Sequence, residues 1–307
     1  VRIVAALGGN ALLQRGERPD ATVQQHHVDE AVTALAALAR GNELVITHGN
    51  GPQIGLLAVE SANDPDLSVP YPLDVLGAQT QGMIGSLLAR GLRDALPEHR
   101  VAALITHTLV RADDPAFAHP TKFIGQSYPH EEAVRLAGSR GWRIAPDGTG
   151  WRRVVPSPRP EGIVESDVIT ALLGEDTVVV CGGGGGVPLV RDPATGRLTG
   201  SEAVVDKDAT AALLAERLRA DFLLVLTDVP HVYTGYGTPG QRALLDITPG
   251  ELRRMGFPEG SMGPKVEAAA RFVDLTGGLS AIGALKDAYD IVHGRAGTLV
   301  RPDLTGG

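Results

Sequence analysis

Residues 43–52 read ELVITHGNGP. Glu43–Thr47 has the β-branched character of a strand, His48-Gly49-Asn50-Gly51 a turn, and Pro52 suits the first turn of a helix, where its missing N–H costs nothing. A strand passing through glycines into a helix is the building unit of an α/β protein with a mainly parallel sheet. Residues 2–10, RIVAALGGN, carry the same signature: Arg2–Leu7 is a strand and Gly8-Gly9-Asn10 its turn. It recurs at Thr177–Val180, a buried strand that runs through Cys181 into Gly182–Gly186. In open α/β sheets, ligands collect at the carboxyl ends of strands. Backbone N–H groups at a helix start favour anions there, and glycine lets a ligand approach the main chain.

Outward from these turns, Ala21–Arg40 reads as a helix stopped by Gly41. Leu73–Leu96 is a long helix and Val101–Val110 a third strand. The stretch 112–163 differs: it holds both tryptophans, many prolines and glycines, and one clear helix near Glu131–Ala137. That pattern predicts a small subdomain protruding from the main sheet. A helix at Ser166–Leu173 follows. Beyond the third glycine turn come a helix from about Asp208 to Arg219, the strand Phe222–Leu226 and a helix at Pro264–Leu275. A short strand–helix–strand closes near Val300. Two lobes are expected, 1–175 and 176–307, joined as one continuous sheet or as two abutting ones.

The composition excludes several classes of function. With 307 residues, 43% apolar and 21% charged, the chain can bury a sizeable core and is no disordered polymer. Its formal charge of −8 argues against sequence-independent binding to a nucleic-acid backbone. The single cysteine, Cys181, can neither close an intrachain disulfide nor begin a zinc site. No apolar run approaches the roughly 18 residues that span a bilayer. Gly8, Gly9 and Asn10 interrupt the apolar residues 3–13, so these do not read as a secretory signal. A soluble, cytoplasmic protein is expected.

None of the glycine turns matches GxxxxGK[ST], and the first lacks the GxGxxG spacing of a dinucleotide site. No G-x-S-x-G elbow supports a hydrolase, and the nine histidines show no HExxH spacing. The aromatic residues are too few and scattered to stack nucleobases. His48, although beside a turn, reads as structural rather than as a base.

The basic residues are more informative. Only four are lysines, at 122, 207, 265 and 286, and the other 24 are arginines. Lys122 lies in the irregular excursion, Lys207 stands between Asp206 and Asp208 before a helix, and Lys265 follows Gly263-Pro264 at a helix start. Lys286 sits in an ordinary amphipathic context and reads as solvated surface. A compact, mobile ammonium does what a planar guanidinium cannot, and the first three positions suit that use.

The motifs AALGGNAL (5–12), THGNGPQIG (47–55), PLDVLGAQTQGMIG (72–85), PTKFIG (120–125) and GWRRVVPSPRP (150–160) occur in that order. VVVCGGGGG (178–186), EAVVDKDATAALLA (202–215), LTDV (226–229) and GSMGPKVEAA (260–269) follow. In these the chain resembles, nearly end to end, the carbamate kinases of the amino acid kinase superfamily. Two departures stand out: Phe123 where the family usually has proline, and Pro230-His231 after Thr227-Asp228-Val229. The first is expected to alter packing in the protruding subdomain, the second the turn on the nucleotide side.

The resemblance implies an open, mainly parallel eight-stranded sheet sandwiched between helices, with the small protruding subdomain at about 112–163, and a homodimer. It implies reversible phosphoryl transfer between ATP and carbamate, giving ADP and carbamoyl phosphate, with Mg2+ carried by the nucleotide. The small molecules bind without nucleic acid or membrane partners. In many members the useful direction is ATP synthesis. By residue matching, Lys122, Lys207 and Lys265 take the places of three active-site lysines and Asp208 that of the carboxylate orienting them. Gly8, Gly9, Asn10, Gly49, Asn50 and Gly51 match the loops around carbamate and the transferring phosphoryl. Thr227, Asp228, Tyr233, Met262, Gly263 and Pro264 match the nucleotide side. Residues 1–175 would then be the acceptor lobe and 176–307 the nucleotide-binding lobe.

The implied chemistry fits the lysines. Phosphoryl transfer needs positioning and charge neutralisation more than covalent help. MgATP at roughly −2 and carbamate at roughly −1 ask for about three positive charges. Carbamate is already an oxyanion and needs no general base. Two other readings are a kinase of amino acid carboxylates and a non-catalytic nucleotide sensor. The first commonly carries a lysine in a KxGG turn, where this chain has Ala6-Leu7-Gly8-Gly9. Against the second stand all three lysines and Asp208.

Overall fold

The computed structural model describes residues 1–14, 17–18, 20–258 and 261–303, with the side chain of Asn10 outside that set. In chain order, β1 (Arg2–Leu7) and α1 (Ala21–Ala39) precede β2 (Glu43–His48), which enters α2 (Gly51–Asn63) directly. α3 (Leu73–Ala95), β3 (Arg100–Ala103) and β4 (His107–Val110) follow. Next come β5 (Lys122–Tyr128), α4 (His130–Arg140), β6 (Arg143–Asp147), β7 (Gly150–Val155), β8 (Gly162–Ile163) and α5 (Ser166–Leu173). After β9 (Thr177–Val180) stand β10 (Val187–Arg191), β11 (Leu198–Gly200), α6 (Lys207–Arg217) and β12 (Phe222–Thr227). The chain ends through β13 (Val232–Thr234), β14 (Arg242–Leu244), β15 (Asp246–Ile247), α7 (Pro249–Met255), α8 (Met262–Thr276), β16 (Leu279–Ala284), α9 (Ala288–Val292) and β17 (Thr298–Val300).

The main sheet is eight-stranded, in the order β15-β17-β16-β12-β1-β2-β9-β3. β17 runs antiparallel to β16 and β15 parallel to β17, while the other pairs are parallel. Side chains alternate across a strand, so each face of β1 builds a different core. Ile3, Ala5 and Leu7 pack with α1, α3 and α9, whereas Val4 and Ala6 pack with α5, α6 and α8. Strands buried on both faces read as continuous apolar runs, as RIVAAL and FLLVLT do. The sheet is continuous across residue 175: β9 lies between β2 and β3.

Two expectations from the sequence are corrected. Val101–Val110 is not one strand. β3 pairs with β9 in the main sheet, while β4 joins β10 in a separate four-stranded sheet. The break is held at Thr106, whose N–H donates to Gln81 Oε1 at 2.9 Å and whose carbonyl accepts from Gln81 Nε2 at 3.1 Å. The excursion holds more than a helix: β5, β7 and β6 form a three-stranded antiparallel sheet. α4 covers it through Ala133 and Leu136. The Arg152 guanidinium lies 5.5 Å over the Phe123 ring.

Candidate active site

The carboxyl ends of β12, β1 and β2 lie side by side. Gly8 N donates to Leu226 O at 2.9 Å and Gly49 N to Leu7 O at 3.1 Å, which stacks the first two glycine turns against β12. They touch backbone to backbone: a Cβ on Gly49 would stand 2.9 Å from Gly9 Cα. From β1 the chain moves to β2 on one side and later places β12 on the other. This reversal of strand order is where open α/β sheets leave a crevice for ligand. Gly51 opens α2, and Asn50 before it is buried, its amide donating to Thr80 Oγ1 at 2.9 Å. Gly9 and Asn10 open a short 3-10 turn after β1; the role expected of the Asn10 side chain lies outside the described residues.

The third glycine turn plays a different part. Gly182–Gly186 is buried throughout, and the space its side chains would need is already filled. A Cβ on Gly183 would meet the His48 ring at 2.3 Å, and one on Gly184 the Asn50 amide at 2.1 Å. This turn backs the second one from inside the protein, against His48 and Asn50. His48 is structural, as its sequence context suggests: its Nδ1 meets Gly49 O at 3.0 Å. Burial, helped by the nearby Lys207 charge, pushes its pKa down to about 4 and keeps the ring neutral.

The three lysines converge. Lys207 opens α6 and its Nζ donates to Asp208 Oδ1. Lys265, in the first turn of α8, donates to Asp208 Oδ2 at 3.2 Å. Lys122, the first residue of β5, reaches across 84 positions of sequence to Asp206 Oδ2 at 2.5 Å. Asp208 is buried, Lys207 nearly so, and Lys122 and Lys265 are half-buried. Burial lowers the Lys207 pKa, and the neighbouring Lys265 charge adds to this against the pull of Asp208. Burial would lower that of Lys122 too, but the charge and hydrogen bond of Asp206 raise it overall. Asp206, whose burial alone would raise its pKa, is held well below the usual carboxylate range by Lys122 and then Lys207. Three ammonium groups on two carboxylates leave about one net positive charge, not three.

On the other side of the crevice, Thr227 ends β12 beside Gly8, and its hydroxyl donates to Asp228 Oδ1 at 3.0 Å. Tyr233, on the β13–β14 hairpin, packs its ring against His231 at 6.1 Å and Tyr236 at 5.9 Å. Met262, Gly263 and Pro264 form the start of α8, with Gly263 N donating to Pro258 O at 2.9 Å. Gly263 and Pro264 also line a cavity of about 320 Å³ between α7 and α8, together with Leu252, Phe257 and Val266. None of the three lysines lines it. Lys286 is exposed on the short 3-10 turn after β16. Among the described residues, no three His, Cys, Asp or Glu side chains are placed to hold a metal ion.

Asp206 is the site residue that sequence reasoning passed over. An aspartate before a helix reads as an N-cap, and it is one: its Oδ1 accepts from Asp208 N at 2.9 Å and Ala209 N at 3.1 Å. That reading leaves the second oxygen unassigned, although the sequence DKD already shows a lysine flanked by two acids.

Known proteins resemble this chain in sequence and in fold. A sequence profile described as "Amino acid kinase family" matches residues 1–281. The carbamate kinase of Rhizobium meliloti is 48% identical over 303 residues, covering 98% of this chain and 93% of its own. That of Escherichia coli K12 is 49% identical over 298 residues, covering 97% and 98%. The structure of the Giardia lamblia carbamate kinase bound to AMP-PNP superposes with a TM-score of 0.89 at 37% identity, covering 98% of each chain. Matches over nearly the whole of both sequences, on the same eight-stranded fold, make this chain a phosphotransferase of the amino acid kinase family, in its carbamate kinase branch.

Proposed function

We propose that the chain catalyses reversible phosphoryl transfer between ATP and carbamate, giving ADP and carbamoyl phosphate. The observation that carries this reading is the meeting of Lys122, Lys207 and Lys265 on Asp206 and Asp208, beside the strand-end turns. Gly8, Gly9, Gly49, Asn50 and Gly51, with Asn10, cradle carbamate and the transferring phosphoryl with backbone amides. Thr227, Asp228, Tyr233, Met262, Gly263 and Pro264 receive the nucleotide; that a nucleotide binds at all is supported by the Giardia lamblia enzyme, whose structure is bound to AMP-PNP. The nucleotide brings its Mg2+ with it as part of the substrate. Residues 1–175 then serve the acceptor and 176–307 the nucleotide, with the subdomain at about 112–163 delivering Lys122 between them.

In the mechanism that follows, Lys207 and Lys265 turn from Asp208 toward the phosphoryl oxygens as charge develops on them, while Asp208 keeps both ammonium groups oriented. Lysine suits this because a point charge on a flexible stem follows the moving group, whereas a bidentate arginine fixes it to one side. No general base takes part: the acceptor is an oxyanion, and His48 is neutral, buried and bonded to Gly49. Preorganised charge of this kind supplies most of the acceleration in phosphoryl transfer.

We read the functional unit as a homodimer. β3 is an edge strand of the main sheet, and Met83, Ile105, Val164 and Val168 stand exposed near it. An Ile105→Asp variant is expected to shift the mass measured by light scattering toward the monomer. The activity itself is tested by supplying ADP and carbamoyl phosphate and following ATP through a coupled assay. Steady ATP production is expected. Its absence, with phosphorylation of amino acid carboxylates in its place, would move the chain to another branch of the family.

A further inference from the structure

Residues 202–206, between β11 and α6, carry two carboxylates that each serve two masters. Asp206 caps α6 with Oδ1 and takes Lys122 with Oδ2. Glu202 accepts from Leu73 N, at the start of α3, with Oε2 at 2.9 Å, and faces the Arg153 guanidinium with Oε1 at 3.8 Å. Lys122 and Arg153 both belong to the small sheet of the excursion, on β5 and β7. Each carboxylate therefore spends one oxygen on a helix N-terminus of the body and the other on a cation of the subdomain.

The apolar contact between subdomain and body lies on the same side of β5. Lys122 pairs in register with Val155 and Ile124 with Arg153, so these residues share a face of the small sheet. Ile124 and Val155 pack with Ile54, Leu73, Leu76 and Val204 of the body. Gly125 lies against α2 so closely that a Cβ on Gly55 would stand 1.9 Å from its Cα. The docked position of the subdomain thus delivers Lys122 to Asp206, and capping fixes the Asp206 carboxylate so that its second oxygen faces that ammonium.

We propose that Asp206 is a positioning residue, the resting partner of Lys122, which holds the subdomain lysine in the crevice and competes with phosphate for it. The proposal rests on the reading of Lys122 as a phosphoryl-binding lysine. Lys122 is bound to Asp206, and an arriving phosphoryl group has to take it over. Asp206 thereby weakens the binding of every phosphate-bearing ligand and keeps Lys122 available to exchange partners as the phosphoryl group moves. Glu202, at a longer distance from Arg153, steadies the same segment.

The test uses inorganic phosphate as probe, in titration calorimetry on the full chain, so it does not depend on which acceptor is phosphorylated. Asp206→Asn keeps an efficient N-cap while removing the charge that holds Lys122. This variant is expected to bind phosphate roughly tenfold more tightly than wild type. The gain is expected to vanish when Lys122→Met is present in both partners of the comparison. Unchanged or weaker phosphate binding in Asp206→Asn overturns the proposal, as does a gain that survives in the Lys122→Met background. Amine labelling gives a second reading: Lys122 is expected to react with a midpoint at higher pH in wild type than in Asp206→Asn, and an equal or lower midpoint in wild type also overturns the proposal. A chain that passes both tests yet makes no ATP from carbamoyl phosphate would retain this latch and lose the proposed substrate.

Discussion

The strand-end turns at 8–10 and 49–51 are fixed by backbone bonds to neighbouring strands, and the second is backed by the buried glycines 182–186. The ammonium groups of Lys122, Lys207 and Lys265, by contrast, arrive from three separate elements and hang on two carboxylates. Behind the turns, the space against the buried glycines is filled by neutral side chains, His48 and Asn50 among them, while Gly9 and Gly51 have open space beside them. Around the lysines, charge is concentrated and the stems are long. Interference with the buried backing at 182–186 should therefore be felt in folding, and interference with the lysines in turnover.

The sharpest way to break this contrast is Lys207→Arg, which preserves charge and removes the point-like ammonium. Turnover is expected to fall about 100-fold or more, with the melting transition little changed. Near-normal turnover would show that charge alone suffices. On the other side, Gly184→Ala brings a Cβ within 2.1 Å of the Asn50 amide at a φ of +63°. Denaturant unfolding is expected to show a loss of about 3 kcal/mol, the sum of a strained backbone and an overfilled site. A fully stable Gly184→Ala would mean that the turn yields more readily than its packing indicates.

The neutral His48 gives a pH test of similar size. Its pKa drops from 6.5 in the unfolded chain to about 4 in the folded one. The unfolded state therefore binds the extra proton first. Stability is complete above pH 6.5 and declines as pH falls toward 4, by about 3 kcal/mol in all. Urea titrations across that window, repeated on His48→Gln, should show the slope in wild type and its loss in the variant. A slope retained by the variant would assign it to other groups. Smallest of all, Lys286→Ala is expected to change turnover less than about twofold, as surface lysines do. A large loss there would mean that the four lysines have been sorted wrongly.

Much of this molecule is legible in its sequence because its signals are local. Strands buried on both faces, such as Arg2–Leu7 and Phe222–Thr227, announce themselves as unbroken apolar runs, and the glycines after the first mark the carboxyl end of the sheet, where the candidate site is placed. The scarcity of lysine singles out three positions that the fold then brings to one place. What the sequence hides is long-range. Nothing between Val101 and Val110 records that Gln81, some 25 residues back, interrupts the strand by bonding both sides of Thr106. Five glycines look like a ligand cradle until His48, Asn50 and their neighbours are seen to occupy the space above them. Asp206 looks like a cap because capping is local, whereas its bond to Lys122 joins positions 84 apart.

The lone thiol of the chain, Cys181, is buried at the end of β9, and burial pushes its pKa up to about 12. At neutral pH it is a protonated thiol, shielded from reagents that attack thiolates. The natural sequence thus serves as an unreactive background for spectroscopy. A cysteine introduced on the outer surface of the small sheet can be tagged by a dye or spin label at that one place, and the travel of the subdomain against the body followed without first replacing any native residue.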